Sequence, residues 1–276
     1  MSYATANEGD YHEDYLHFSN LAQFDPGVDK ISLYIAISEV KKRSSSDEKK
    51  IYSLARIAEN NKKIIVKTVQ FKSNTGRDFS SAATNLRSIY PTASQDDYVL
   101  FVNRSAYGPH CHSWYKTYIN QYEKFQNVFL CGSTINFLGH PNTRMQRSTH
   151  THIQTYAYLS QIRHLSMILK HFPGEGEDTR LGVIDHGEVG LSQFFMEAGG
   201  AITCLAWPDH YFDQVKPNCY DLPQQDIKKE SSTYPFKYKY KSYKKQRRLQ
   251  YHLWQASITF NGLIKIPDRC SPAPRP

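Results

Sequence analysis

Short apolar runs alternate with helix-patterned stretches along this chain, and that alternation limits its fold more than any other feature. Ile31–Ile37, Ile64–Val69, Tyr98–Val102, Val128–Cys131 and Ala201–Ala206 each read as a short buried strand. Between them, Asp47–Asn60 carries Ile51, Leu54, Ala55 and Ala58 at helical spacing, and a second helix is expected from about Phe79 to Ile89. Thr149–Lys170 places Ile153, Tyr156, Leu159, Ile162, Leu165 and Leu169 on one stripe, which predicts a long helix. Leu191, Phe194, Phe195 and Ala198 continue the pattern to Gly199-Gly200, a left-handed helix stop. Strands and helices in this order predict an α/β fold with a mostly parallel central sheet. In such sheets ligands bind beyond the carboxyl ends of the strands. Function is therefore sought at Asn74–Asp78, Asn103–Pro109, Gly132–Asn136 and Asp185–Glu188.

The length of 276 residues fits one domain over 1–220, with a loosely packed polar lead-in at 1–28. Residues 221–276 read as a basic C-terminal extension, either packed on the same domain or forming a tail. The formal net charge of +8 points at first to nucleic acid, but it is concentrated. Lys228–Arg248 holds nine basic residues and one acid, and the remainder is neutral. Nucleic acid is thus disfavoured as the partner of the body. Lys alternates with Tyr from Lys237 onward, a pattern that suits an anionic ligand and equally suits a solvated sheet edge. No apolar run approaches the roughly 20 residues of a membrane span. The amino terminus lacks the pattern of a targeting peptide, and five scattered cysteines without a CxxC fit a reducing compartment. A cytoplasmic location is expected.

Asn74-Thr-Gly-Arg-Asp78 falls between a strand and a helix. Gly76 there would let the backbone approach a ligand, helix-start amides favour phosphate, and Arg77 offers a bidentate clamp. The plain alternative is a turn with Asp78 capping the helix. Asn103-Arg-Ser105 follows a strand, and its short polar side chains suit ribose or phosphate better than a metal. Asp185-His-Gly-Glu188 precedes a helix, where a carboxylate either takes a proton from a substrate hydroxyl or simply complements the helix dipole. His110-Cys-His112 and His150-Thr-His152 resemble ligand pairs but lack acidic partners nearby. A zinc hydrolase built on them is the third reading. Tyr107 and Trp207, at strand ends, suit stacking on a sugar ring.

Asn74–Phe79, Tyr98–Pro109, His152–Tyr156 and Glu188–Ser192 occur in this order, at spacings that resemble the rhamnan-synthesis-F-like glycosyltransferases of polysaccharide assembly. More remotely they resemble the wider GT-A class, and the glycan-building enzymes of large algal viruses, which would put the chain in a host cytoplasm. The resemblance covers roughly residues 30 to 210. It implies a single GT-A-like, Rossmann-like domain that moves xylose or rhamnose from a UDP-type nucleotide sugar to a hydroxyl of a glycan acceptor, with inversion. Asn74, Gly76, Arg77, Asp78, Asn103 and Ser105 would line the donor, with His210 helping to stabilise the leaving group. Tyr107 and Trp207 would hold the acceptor. Glu188 falls where inverting members carry their base, with Asp185 and Asp78 in reserve. Asn103 and Ser105 stand where the class has metal-binding acids, which counts against a divalent cation (Mn or Mg). The alternative from another class is a non-catalytic glycan- or nucleic-acid-binding protein that uses 228–248 for contact.

Overall fold

A computed structural model describes residues 1–143, 145–147, 149–219, 222, 234–238 and 248–261. Its elements run β1 (Ser2–Ala6), α1 (His12–Gln23), β2 (Ile31–Glu39), α2 (Ser45–Ala58), β3 (Ile64–Ser73), α3 (Arg77–Ile89), β4 (Tyr98–Asn103), β5 (Ala106–Tyr107), α4 (Trp114–Glu123) and β6 (Val128–Gly132). Then come β7 (Ile135–Asn136), β8 (His152–Ile153), β9 (Ala157–Gln161), α5 (Ile162–Leu165) and α6 (Arg180–Gly182). A π-helical stretch, Val183–Val189, leads into α7 (Gly190–Glu197), followed by β10 (Ala201–Cys204), β11 (Tyr211–Phe212), β12 (Lys237–Tyr238) and α8 (Arg248–Asn261).

Eight strands form one sheet in the order β11-β10-β6-β9-β4-β1-β2-β3. Pairing is parallel for β1 with β2 and β4, for β2 with β3 and for β6 with β10. Only β9, between β4 and β6, and β11, at the edge, run the other way. The α/β, mostly parallel architecture is thus present, and the carboxyl ends of six strands share one edge of the sheet.

Side chains alternate across the sheet into two cores. Leu33, Ile35, Leu100, Val102 and Leu159 pack on one face with α1, α2 and α4. Tyr34, Val99, Phe101, Tyr158 and Ile202 pack on the other with α3, α5 and α7. Local signals fit: Ser44 caps α2, accepting from the Asp47 amide at 3.1 Å while Asp47 Oδ2 accepts from the Ser44 amide at 3.0 Å.

Two expectations are corrected. The lead-in of 1–28 is no loose segment, because Ser2–Ala6 is a central strand paired with both β2 and β4. Its polar residues misled because they are satisfied inside: Asp14 is fully buried and accepts from Tyr3 Oη at 2.9 Å and from Thr5 Oγ1 at 2.5 Å. The Thr149–Lys170 helix is instead β8, β9, α5 and a 3-10 turn. Tyr156 through Ser160 are all buried, since β9 lies mid-sheet with both faces covered, so its apolar run matches any period.

Of the extension, the described residues pack on the same body. Phe236 is fully buried beside Trp114, β12 pairs antiparallel with β5, and Trp254 Nε1 donates to Ser53 Oγ at 2.9 Å. Most of Lys228–Arg248 lies outside the described residues, and so do the ligand-contact and tail readings of that segment.

Candidate active site

The carboxyl ends of β1 to β4 surround a cavity of about 440 Å³. Its walls are Ala4, Thr5, Ala6, Glu8, Ser38, Val40, Asn74, Arg77, Asp78, Asn103, Arg104 and Ser105. Asn7 fixes the rim between β1 and β2, accepting from the Val40 and Lys41 amides at 2.8 and 3.1 Å and donating to Lys41 O at 2.7 Å. Four segments far apart in sequence thus meet here, because parallel strands deliver their ends to one edge.

The turn after β3 supplies Asn74, Arg77 and Asp78. Gly76 has φ +66°, and a Cβ there would stand 2.0 Å from Glu175 O. Its amide donates to Glu177 O at 2.9 Å. The close approach that needs this glycine is therefore to the protein's own 175–177 segment, which corrects the expectation that it opens the backbone to a ligand. Arg77 is exposed at the cavity wall. Asp78, in the first turn of α3, accepts from Asn103 Nδ2 at 2.6 Å, and burial pushes its carboxyl above the usual range.

Asn103 connects this turn to Glu188. Its side-chain amide also reaches Thr155 O at 3.5 Å, and Thr155 donates its backbone amide to Glu188 Oε1 at 3.2 Å. The Thr155 hydroxyl lies 3.5 Å from the same oxygen. Burial raises the Glu188 carboxyl to about 7, the Thr155 hydrogen bonds oppose the rise, and the charge on Asp78 adds to it. Glu188 is half-buried and is not itself among the residues lining the cavity, but a carboxyl that titrates near neutrality is equipped to accept a proton from a hydroxyl. The π-helical turn that carries Glu188 is a rare form found often at functional sites.

Other expected site residues lie elsewhere. Asp185 is buried and accepts the Thr143 hydroxyl at 2.8 Å, which ties it to the loop before β8. His210 and Trp207 sit between β10 and β11, with Trp207 stacked on Phe137 at 5.3 Å. β10 is three strands from β4, roughly 14 Å at ordinary strand spacing, so His210 and Trp207 are not among the residues around the cavity. Tyr107 lies in β5, its ring 4.4 Å from His110. The histidine pairs are dispersed: His112 Nδ1 accepts from the Asp25 amide at 3.1 Å, and His152 is buried against His150 O. Sequence reasoning missed Thr155, Arg104 and the β1 end. Thr155 lies inside the His152–Tyr156 motif, so a signal was present, whereas nothing in 1–28 marked a strand that lines a cavity.

The residues at Asn103–Ser105 do not fit a divalent cation. Asn103 Oδ1 accepts the Ser105 amide at 2.9 Å while Nδ2 serves Asp78, so the side chain is occupied at both ends. Arg104 brings a positive charge, paired with Glu13 at 3.1 Å and Asp14 at 3.3 Å. Among the described residues no group of three or more His, Cys, Asp or Glu gathers as a metal site needs. No helix among them is long and apolar enough to cross a membrane.

No family model matches the chain, and no curated protein matches it. Among solved structures it is similar to a mannosyltransferase from Pyrobaculum calidifontis in complex with GDP-Man and Mn2+, with a TM-score of 0.46 and 13% identity over 74% of this chain and 53% of that one. It is similar also to TarS from S. aureus, at 0.42 and 15% over 77% and 60%. A third is mouse xyloside xylosyltransferase 1 in its apo form, at 0.37 and 9% over 67% and 81%. The chain spans 53% and 60% of the length of the first two. Each likeness concerns the arrangement of sheet and helices.

Proposed function

We propose that the chain is a nucleotide-sugar-dependent glycosyltransferase that uses Glu188 as its base. One observation carries this reading: a half-buried carboxyl raised to about 7 is linked through Thr155 and Asn103 to a cavity at the carboxyl edge of a mostly parallel sheet. The cavity, at about 440 Å³, is in the size range of small-ligand sites, and its wall carries Arg77, a side chain suited to diphosphate.

The reaction is a single displacement. The acceptor hydroxyl loses its proton to Glu188 as its oxygen bonds to the anomeric carbon, while the bond to the nucleoside diphosphate breaks and its electrons leave with the phosphate. Configuration at that carbon inverts. Arg77 would meet the leaving charge. The finer reading is a UDP-type donor carrying xylose or rhamnose, with a glycan acceptor held on the β5 side near Tyr107, and it rests on the motif resemblance.

A thermal-shift panel of nucleotides and nucleotide sugars tests this. A binder at a hundredfold excess over Kd stabilises by roughly 2.7 kcal/mol. A hit confined to nucleoside diphosphates and their sugars, weakened by Arg77→Ala, supports the reading; a flat panel sinks it.

A further inference from the structure

Asp78 and Glu188 come from distant parts of the chain, α3 and the π-helical turn, and three hydrogen bonds bring them together. Asn103 spans from Asp78 Oδ2 (2.6 Å) to Thr155 O (3.5 Å), and the Thr155 amide holds Glu188 Oε1 at 3.2 Å. The neighbours are interlocked as well: the Phe79 ring, one residue from Asp78, lies against Gly187, one residue from Glu188. The lateral position of each carboxyl is therefore set by packing as well as by polar contacts.

We propose that Asp78 is a positioning residue for Glu188, the two carboxyl groups forming a coupled pair across the Asn103–Thr155 bridge in which a charge on Asp78 adds to burial in keeping the proton on Glu188. This deepens the transferase reading and rests on it for its purpose, because a base must be free of its proton when the acceptor hydroxyl arrives.

The charged surroundings favour Asp78 for this role. From α3 it is the charged group that acts on Glu188, and it makes the Glu188 proton harder to lose. Lys72 on β3 and Arg77 on α3 act in turn on Asp78 and favour its charged form. Tyr158 on β9 is buried and feels the same charge. His186, beside Glu188 on the π-helical turn, is engaged with Glu177 at 2.6 Å. Asp185 on that turn is held by Thr143. A donor phosphate that binds Arg77 would draw its charge away from Asp78, so donor arrival and the protonation of Glu188 are linked through this pair.

The test is a 13C NMR titration of the Glu188 carboxyl in substrate-free full-length protein, its resonance identified by loss in Glu188→Gln. The native midpoint is expected near pH 7. In Asp78→Asn, which keeps an oxygen for Asn103, it should fall by about 1 pH unit, the ordinary effect of removing a like charge nearby. Asp78→Ser should move it in the same direction and serves if the first variant does not fold. An unchanged or raised midpoint in either folded variant overturns the proposal, as does a native midpoint in the ordinary carboxylate range. Because no substrate is present, absence of transfer activity would leave this result standing and count against the transferase reading alone. Where transfer is measurable, the acid limb of kcat/KM should move down with the midpoint, whereas a purely structural Asp78 would lower the rate at every pH without moving the limb.

Discussion

The ring of Phe79 rests on Gly187 so closely that a Cβ on the glycine would stand 2.8 to 2.9 Å from three ring atoms. Real Cβ contacts do not come so near, so the glycine is a packing requirement here and its conformation is ordinary. Gly174 crowds the same point, its own Cβ position only 2.5 Å from Gly187 Cα and 3.4 Å from Phe79 Cγ. Gly187→Ala must displace the Phe79 ring or the π-helical turn, at a cost of roughly 1–3 kcal/mol for overpacking. Denaturant unfolding should show that loss. Because the turn also carries Glu188, nucleotide-sugar turnover should fall further than stability alone explains; a variant with native stability and turnover sinks the interlock.

Glu188 works against stability, and the sign can be read by mutation. Its folded carboxyl titrates near 7, above the value of 4.5 that it has when unfolded. The native state therefore binds the proton more tightly. Its contribution to stability is present below pH 4.5, falls as pH rises toward 7 and is gone above that. Glu188→Gln should thus match the native chain at low pH and exceed it at pH 8 by on the order of 2–3 kcal/mol. Transfer should drop by roughly 10²–10⁴-fold in the same variant while donor binding persists. Melting curves at the two pH values, with an equal gain at both, would show that the carboxyl is not buried as described.

Arg104 lines the cavity, yet its charge is largely committed to the protein itself. It pairs with Glu13 and with Asp14, which has no exposed surface, and it donates to Glu8 O at 3.0 Å. Arg104→Met removes the cation and leaves a buried carboxylate unmatched, a loss of about 3–5 kcal/mol. Arg104→Lys should recover only part of it, since one ammonium cannot serve acceptors spread over three residues. Urea midpoints for the two variants check the order; equal stability of Arg104→Met and the native chain would show the cation to be dispensable.

What could be read from the chain follows from how each segment is buried. β2, β4 and β6 announce themselves because both of their faces are covered and their runs are uniformly apolar. That same uniformity concealed β9, whose Tyr156–Leu159 run also fits a helical stripe, and only pairing with β4 and β6 decides the matter. β1 was hidden for a different reason. Ser2, Thr5 and Asn7 are buried polar residues satisfied by partners up to 83 positions away, and no local pattern records such partners. The turn Asn74–Asp78 and the acid Glu188 were visible as candidates, because polar residues at strand ends and helix starts are few. Their juxtaposition through Thr155 was not visible, since it depends on β9 passing beside β4. Gly76 was assigned a ligand when its neighbour is the backbone of Glu175, a contact between segments about a hundred residues apart.

Nucleotide affinity should survive EDTA. The strand end that would have to present acids to a divalent cation offers Asn103, Arg104 and Ser105, and Asn103 is already spent between the Ser105 amide and Asp78. Glu13 and Asp14 near this point are paired with Arg104, and Asp78 is occupied by the Asn103 amide, with its charged form disfavoured by burial. Freeing it for a cation would forfeit a 2.6 Å hydrogen bond and leave the Asn103 amide without that partner, on the order of 1–3 kcal/mol. In the proposed reading, positive charge for a diphosphate would come instead from Arg77, exposed at the cavity wall. Arg77→Ala should therefore weaken nucleoside diphosphate binding by about tenfold or more, the loss of one charge-assisted contact. Chelation should change it little. Isothermal titration of the same nucleotide with Mn2+ and with EDTA separates the cases: affinity that collapses on chelation but tolerates Arg77→Ala would mean that a metal, and not this arginine, holds the phosphates.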